Sequence, residues 1–77
     1  MSYFSIALQR RLERRSMNQS DLSRQSGISR SYISRLLSGE FSELSDANFT
    51  SLLKVFAADP QAQADLVAAR CMDVKAG

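Results

Sequence analysis

The sequence predicts an all-α fold of five short helices in a single domain, residues 1–77, and three observations predict it. Apolar residues recur three and four apart, the spacing that lines one face of a 3.6-residue helix. Strand-like alternation never lasts, and the one proline, Pro60, stands where a helix can begin. Residues suited to start or stop a helix fall between the periodic stretches: Asn18, Gly27, Ser29, Gly39, Ser45 and the pair Asp59-Pro60.

The first helix is expected over about residues 3–15, where Phe4, Leu8 and Leu12 are spaced four apart and Arg11 and Arg15 fall beside the stripe, snorkelling to water. The second, residues 19–26, opens at Asn18 as N-cap with Asp21 placed to reach back, and Gly27 ends it in a left-handed conformation. Ser29 caps the third, residues 30–38, which closes at Gly39. Ser45 or Asp46 starts the fourth, residues 46–57, whose Phe49, Leu52, Leu53 and Phe56 form an apolar face that reads as core. Asp59 caps the fifth, residues 60–74, with proline at its first position and fraying beyond Val74. It carries two apolar stripes: Ala62, Leu66 and Ala69 suit docking on the domain, and Ala64, Val67, Cys71 and Val74 suit a partner surface.

Composition narrows the chemistry. Seventy-seven residues bury roughly 60% of the unfolded surface, a marginal core for a chain on its own. There is no histidine, which excludes histidine-based catalysis, and with one cysteine a metal site of the usual kind is not expected. No cofactor is expected and no acid pair reads as catalytic, the eight acids serving as surface or caps. The lone Cys71, without a signal-peptide pattern or an apolar run long enough to span a membrane, fits the cytoplasm. Cys71 reads as a small buried hydrophobe rather than a redox sensor. The net charge of +2 conceals an asymmetry: residues 1–38 hold seven arginines against Glu13 and Asp21, net +5, while residues 39–77 are net −3. Eight of the ten basic residues are arginine, whose fork suits phosphate and guanine, so nucleic acid is the expected partner.

The stretch GISRSYISRLLSG, residues 27–39, concentrates the signal. Wound as a helix, Tyr32, Ile33, Leu36 and Leu37 share one side, and Arg30, Ser31, Ser34, Arg35 and Ser38 share the other. A solvent face usually carries Glu and Lys, and Arg30 sits where the helix dipole disfavours a cation. Tyr32 is expected to pack at the rim of this helix with its hydroxyl solvated. The second and third helices are separated so closely that they must cross steeply, with Ser23 small at the closest approach and Leu22, Ile28, Ile33 and Leu36 between them.

The segment MNQSDLSRQSGISRSYISRLLSG, residues 17–39, resembles the helix-turn-helix of the phage-repressor and Cro family. It matches in Gln19, Leu22, the small residue at 23, Gly27, the apolar Ile28, Ile33, Leu36 and Gly39. The resemblance implies a compact five-helix lambda-repressor-like domain whose third helix enters the major groove. It places Arg30, Ser31, Ser34 and Arg35 at base edges and Gln19 against phosphate. Ser29 and Ser38 at the ends of that helix, and Arg10 and Arg14 on the first, complete the expected phosphate contacts, with Arg11 a further source of charge. Leu37 stands where the family often has an acid, so it is expected to pack. Glu40 and Glu43 occupy the following loop, where basic or polar residues often meet phosphate, and no such contact is expected there. The implied function is a sequence-specific regulator of transcription, a repressor, binding a pseudo-palindromic duplex as a homodimer through Val67, Cys71 and Val74. An antitoxin repressing its own operon, the N-terminal domain of a longer regulator, or a protein-interaction module that has lost DNA binding would share these features.

Overall fold

The computed structural model describes residues 2–39 and 44–76. Five helices follow one another, α1 (Tyr3–Arg14), α2 (Gln19–Ser26), α3 (Arg30–Ser38), α4 (Asp46–Val55) and α5 (Pro60–Ala76), with no strand among the described residues. Their buried stripes meet in one core of Phe4, Leu8, Leu12, Leu22, Ile28, Ile33, Leu36, Leu52, Phe56, Ala62, Leu66 and Ala69. Each helix contributes to it, since most helical stability in a protein comes from packing the apolar face. α1 packs against α5 and α3, and α2 packs against α3 and α4. Phe49 and Leu53 are half-buried at the edge of the core, where the Phe49 ring meets Phe4 edge-on at 5.8 Å.

The predicted caps form. Asn18 accepts from the Asp21 amide at 2.8 Å and Asp21 accepts from the Asn18 amide at 3.3 Å, closing a capping box on α2. Gly27 and Gly39 are left-handed, at φ 76° and 80°, and end α2 and α3. Ser29 and Ser45 accept from the amides of Tyr32 and Asn48, starting α3 and α4. Asp59 accepts from the Ala62 amide at 3.1 Å and starts α5.

Three helix ends differ from the sequence expectation. α1 stops at Arg14 because Ser16 adopts a left-handed φ of 51°, which lets the Ser16 and Met17 amides return to the carbonyls of Glu13 and Leu12. Glycine usually fills that place, and serine holds it here at a steric cost. α4 stops at Val55, not at residue 57, because the chain tightens into i to i+3 bonds, Ala57 to Lys54 and Asp59 to Phe56, ahead of the proline. α5 continues to Ala76 instead of fraying after Val74, its last turns being docked by Asp73.

That carboxylate reaches across the fold. Its two oxygens accept the amides of Tyr3 at 2.8 Å and Phe4 at 2.9 Å. Ser2 and Ser5 satisfy each other's amides through their hydroxyls, so the four amides that α1 cannot pair within itself all have acceptors. Buried Ser5 also donates to the Ser2 carbonyl. Side chains likewise close the other end of α4: Gln63 donates to the Leu53 carbonyl at 2.8 Å, and Arg15 to the Val55 carbonyl at 3.4 Å. Arg15 also lies over the Phe56 ring.

Asp73→Ala leaves two amides of the first turn of α1 without their acceptor. The expected cost is about 1–2 kcal/mol, a fall in Tm of roughly 5–10 °C for a domain of this size. Asp73→Asn, which keeps one acceptor oxygen, should fall between the two, and thermal melts followed by circular dichroism check both.

Candidate nucleic-acid interface

The site is assembled by the short link between α2 and α3. α2 ends at Ser26, Gly27 reverses the chain, Ile28 drops its side chain into the core at 6% exposure, and Ser29 starts α3. With so few residues between them, α3 is packed directly against α2, in the order of elements of a helix-turn-helix. Burying Ile33 and Leu36 then fixes which side of α3 faces out. Tyr32 and Leu37 flank that buried stripe half-covered, and Arg30, Ser31, Ser34, Arg35 and Ser38 are all exposed. Leu37 packs as expected. Tyr32 packs at the edge of the core as expected, but its hydroxyl is buried instead of solvated.

Gln19, Arg30, Ser31, Ser34 and Arg35 line one open concavity. The fold therefore brings the first residue of α2 alongside the outer face of α3, eleven and more positions away in sequence. Two helix N-termini contribute to this surface, and each presents the positive end of its dipole. No acid occupies the first turn of α3, so Arg30 and the dipole reinforce each other. An anion placed there would relieve both.

The arginines divide by occupation. Arg11 pairs with Asp65, Arg24 with Asp21 at 2.7 Å, and Arg70 with Asp46 at 2.6 Å. Arg70 also donates to the Leu44 carbonyl and lies 4.4 Å from the Phe49 ring centre. Arg11 is thus tied to α5, and its charge is offset where the sequence suggested a free cation. Arg30 and Arg35 have no acid or carbonyl partner among the described residues, and neither do Arg10 and Arg14. Arg10 and Arg14 line a separate groove between α1 and α5, together with exposed Tyr3, Ile6 and Met72. The structure does not gather them with Gln19 and α3.

The serine hydroxyls divide in the same way. Ser29 accepts from the Tyr32 amide at 3.3 Å, which leaves its proton available to an outside acceptor such as phosphate. Ser38 donates to the Arg35 carbonyl at 2.8 Å, so a donated bond to phosphate would require breaking that one. Glu40 and Glu43 lie outside the described residues. Val67, Cys71 and Val74 are exposed on the outer side of α5, Val67 at 49% and Val74 at 72%. Cys71 is therefore not the buried hydrophobe its residue type suggested, because Ala62, Leu66 and Ala69 take the core side of the helix. Among the described residues no three His, Cys, Asp or Glu side chains gather as a metal site would require, and no helix is long and apolar enough to cross a membrane.

Comparison with known proteins agrees with this geometry. The family model of the Cro/C1-type helix-turn-helix DNA-binding domain matches residues 7–61, from within α1 through α4 to the first residues of α5. No curated protein and no solved structure matches the chain.

Arg10 and Arg14 give the electrostatic test of how far the interface extends. If their guanidinium groups meet phosphate, changing both to alanine weakens binding to every duplex. It also flattens the slope of log affinity against log salt by up to about 0.9 for each phosphate no longer neutralised. The fold should be unaffected, since both side chains are exposed. An unchanged slope would confine the interface to α2 and α3.

Proposed function

The chain belongs to the Cro/C1-type helix-turn-helix DNA-binding family, and on that premise we propose that it is a cytoplasmic transcriptional repressor that reads double-stranded DNA in the major groove with α3. The observation that carries this reading is the concavity of Gln19, Arg30, Ser31, Ser34 and Arg35, with both of its arginines unengaged by the described residues. An arginine already neutralised by an acid gains little from a new anion. One held without a partner keeps its full set of donors for guanine O6 and N7, and a serine hydroxyl can meet several bases. Gln19 at the start of α2 and Ser29 at the start of α3 hold phosphates on either side, so that α3 is set in register with the bases. The work is binding, without catalysis or cofactor.

One such domain offers one reading helix, which covers only a few base pairs. A homodimer with two-fold symmetry would place two copies of α3 in successive major grooves, roughly 34 Å apart, on a pseudo-palindromic operator. The outer side of α5, with Val67, Cys71 and Val74, is our proposed contact between the copies. Its exposed valines are part of the apolar surface that docking on the domain leaves over.

A second reading, a protein-interaction module or the antitoxin of a toxin–antitoxin pair, has one observation in its favour. Tyr3, Ile6 and Met72 are exposed together along the groove between α1 and α5, a surface that DNA reading by α3 does not use. Selection of bound sites from random duplex DNA separates the repressor from an interaction module that has lost DNA binding. Enrichment of an inverted repeat supports the dimeric repressor, and recovery of no preferred sequence overturns it.

On the enriched site, Arg30→Ala and Arg35→Ala should each cost about 1–3 kcal/mol and relax preference at one base position. Ser34→Ala should cost less, since one hydroxyl discriminates less than a fork. Equal weakening on all sequences would make the arginines phosphate contacts. Val67→Asp should yield folded monomers with much weaker operator binding, as measured by sedimentation and titration, because the dimer would have to bury an unpaired charge. A wild type that stays monomeric at high concentration, and binds one copy per site, would sink the dimer.

A further inference from the structure

Ser23 holds the residue before the N-cap of the third helix by more than its small size. Its hydroxyl donates to the Ile28 carbonyl at 2.5 Å, while the Ile28 amide donates to the Ser26 hydroxyl at 3.2 Å. Both main-chain groups of Ile28 are thus bonded to side chains of α2. The Ser23 carbonyl also takes the Gly27 amide at 2.9 Å, so one residue of α2 grips the turn twice. Ile28 is one residue from the N-cap of α3 and its side chain is buried. Only Ser29 separates this held residue from α3, so the Ser23 bond and the burial of Ile28 together restrain the base from which α3 turns. Alanine would satisfy the close packing of α2 on α3 equally well, and the hydroxyl is what it would lack.

We infer that Ser23 is a positioning residue for DNA reading: through Ile28, its hydroxyl sets the angle at which α3 presents Arg30, Ser31, Ser34 and Arg35. This rests on α3 being the reading helix. Base-edge bonds need their donors within a few tenths of an ångström, whereas phosphate contacts through long side chains tolerate a tilt. Loss of the hydroxyl should therefore reduce discrimination more than it reduces general affinity.

The test measures affinity for the duplex enriched by selection and for a scrambled duplex of equal length and composition, in four proteins: wild type, Ser23→Ala, Arg30→Ala and the double variant. Ser23→Ala should remain folded. The ratio of specific to scrambled affinity should fall about threefold to tenfold, the order of one neutral hydrogen bond, with the scrambled affinity and its salt slope unchanged. In the Arg30→Ala background the same change should cost less, since the bond acts through a side chain already removed. An unchanged ratio, or a parallel loss on both duplexes, overturns the role of Ser23. If Arg30→Ala itself leaves the ratio intact, it is the reading by α3 that fails, and the two failures are told apart.

Discussion

The structure depends most on the shortness of the chain between α2 and α3. Only Gly27, Ile28 and Ser29 connect them, and each meets a different physical demand. Gly27 takes a left-handed conformation that a β-carbon would strain, Ile28 supplies the apolar anchor, and Ser29 caps the next helix. A longer link would let α3 choose its own packing angle. This one commits α3 to pack directly against α2, buries Ile33 and Leu36, and leaves a polar arc facing out. The candidate interface follows from packing, since the residues of α3 that are not buried form its outer face.

α5 plays the complementary part, holding the remaining helices in place around that pair. Its buried stripe packs into the core, and its polar residues reach the ends and flanks of other helices. Asp73 caps α1, Gln63 donates to the Leu53 carbonyl near the end of α4, Asp65 pairs with Arg11, and Arg70 pairs with Asp46. Exposed ion pairs contribute at most about 1 kcal/mol each. The Asp73 contact is of another kind, since it satisfies two amides that have no partner within their own helix. A small core is thus supplemented by bonds that join the two ends of the chain.

Charge is distributed by the same packing. The N-terminal half carries its excess of arginine along α1 to α3, yet the tertiary structure uses these residues unequally. Arg11 and Arg24 meet acids, and Arg15 meets a ring and a carbonyl. Arg30 and Arg35 project from the outer face of α3, where no described acid reaches them. The local field at the concavity is therefore stronger than the net charge of +2 suggests. Membership in a DNA-binding family and the placement of these two side chains point the same way.

By itself the sequence determined what depends on neighbours along the chain. The five helices, the caps at Asn18, Ser29 and Asp59, the left-handed glycines and the polar arc of α3 are set by residues at most four positions apart. That is the range over which side chains and the helix backbone interact locally. The core residues were legible too, because burial repeats with the helical period. Only the tertiary structure decided which arginines are engaged, that Asp73 caps a helix at the opposite end of the chain, and that the Tyr32 hydroxyl is buried while Cys71 is exposed. It also gave Ser23 a hydrogen bond where the sequence offered only a small residue. Each of these turns on the packing of one helix against another or on a contact made outside the local helical pattern. Periodicity shows that a face is polar, but only the packed helices show which partner each polar atom meets.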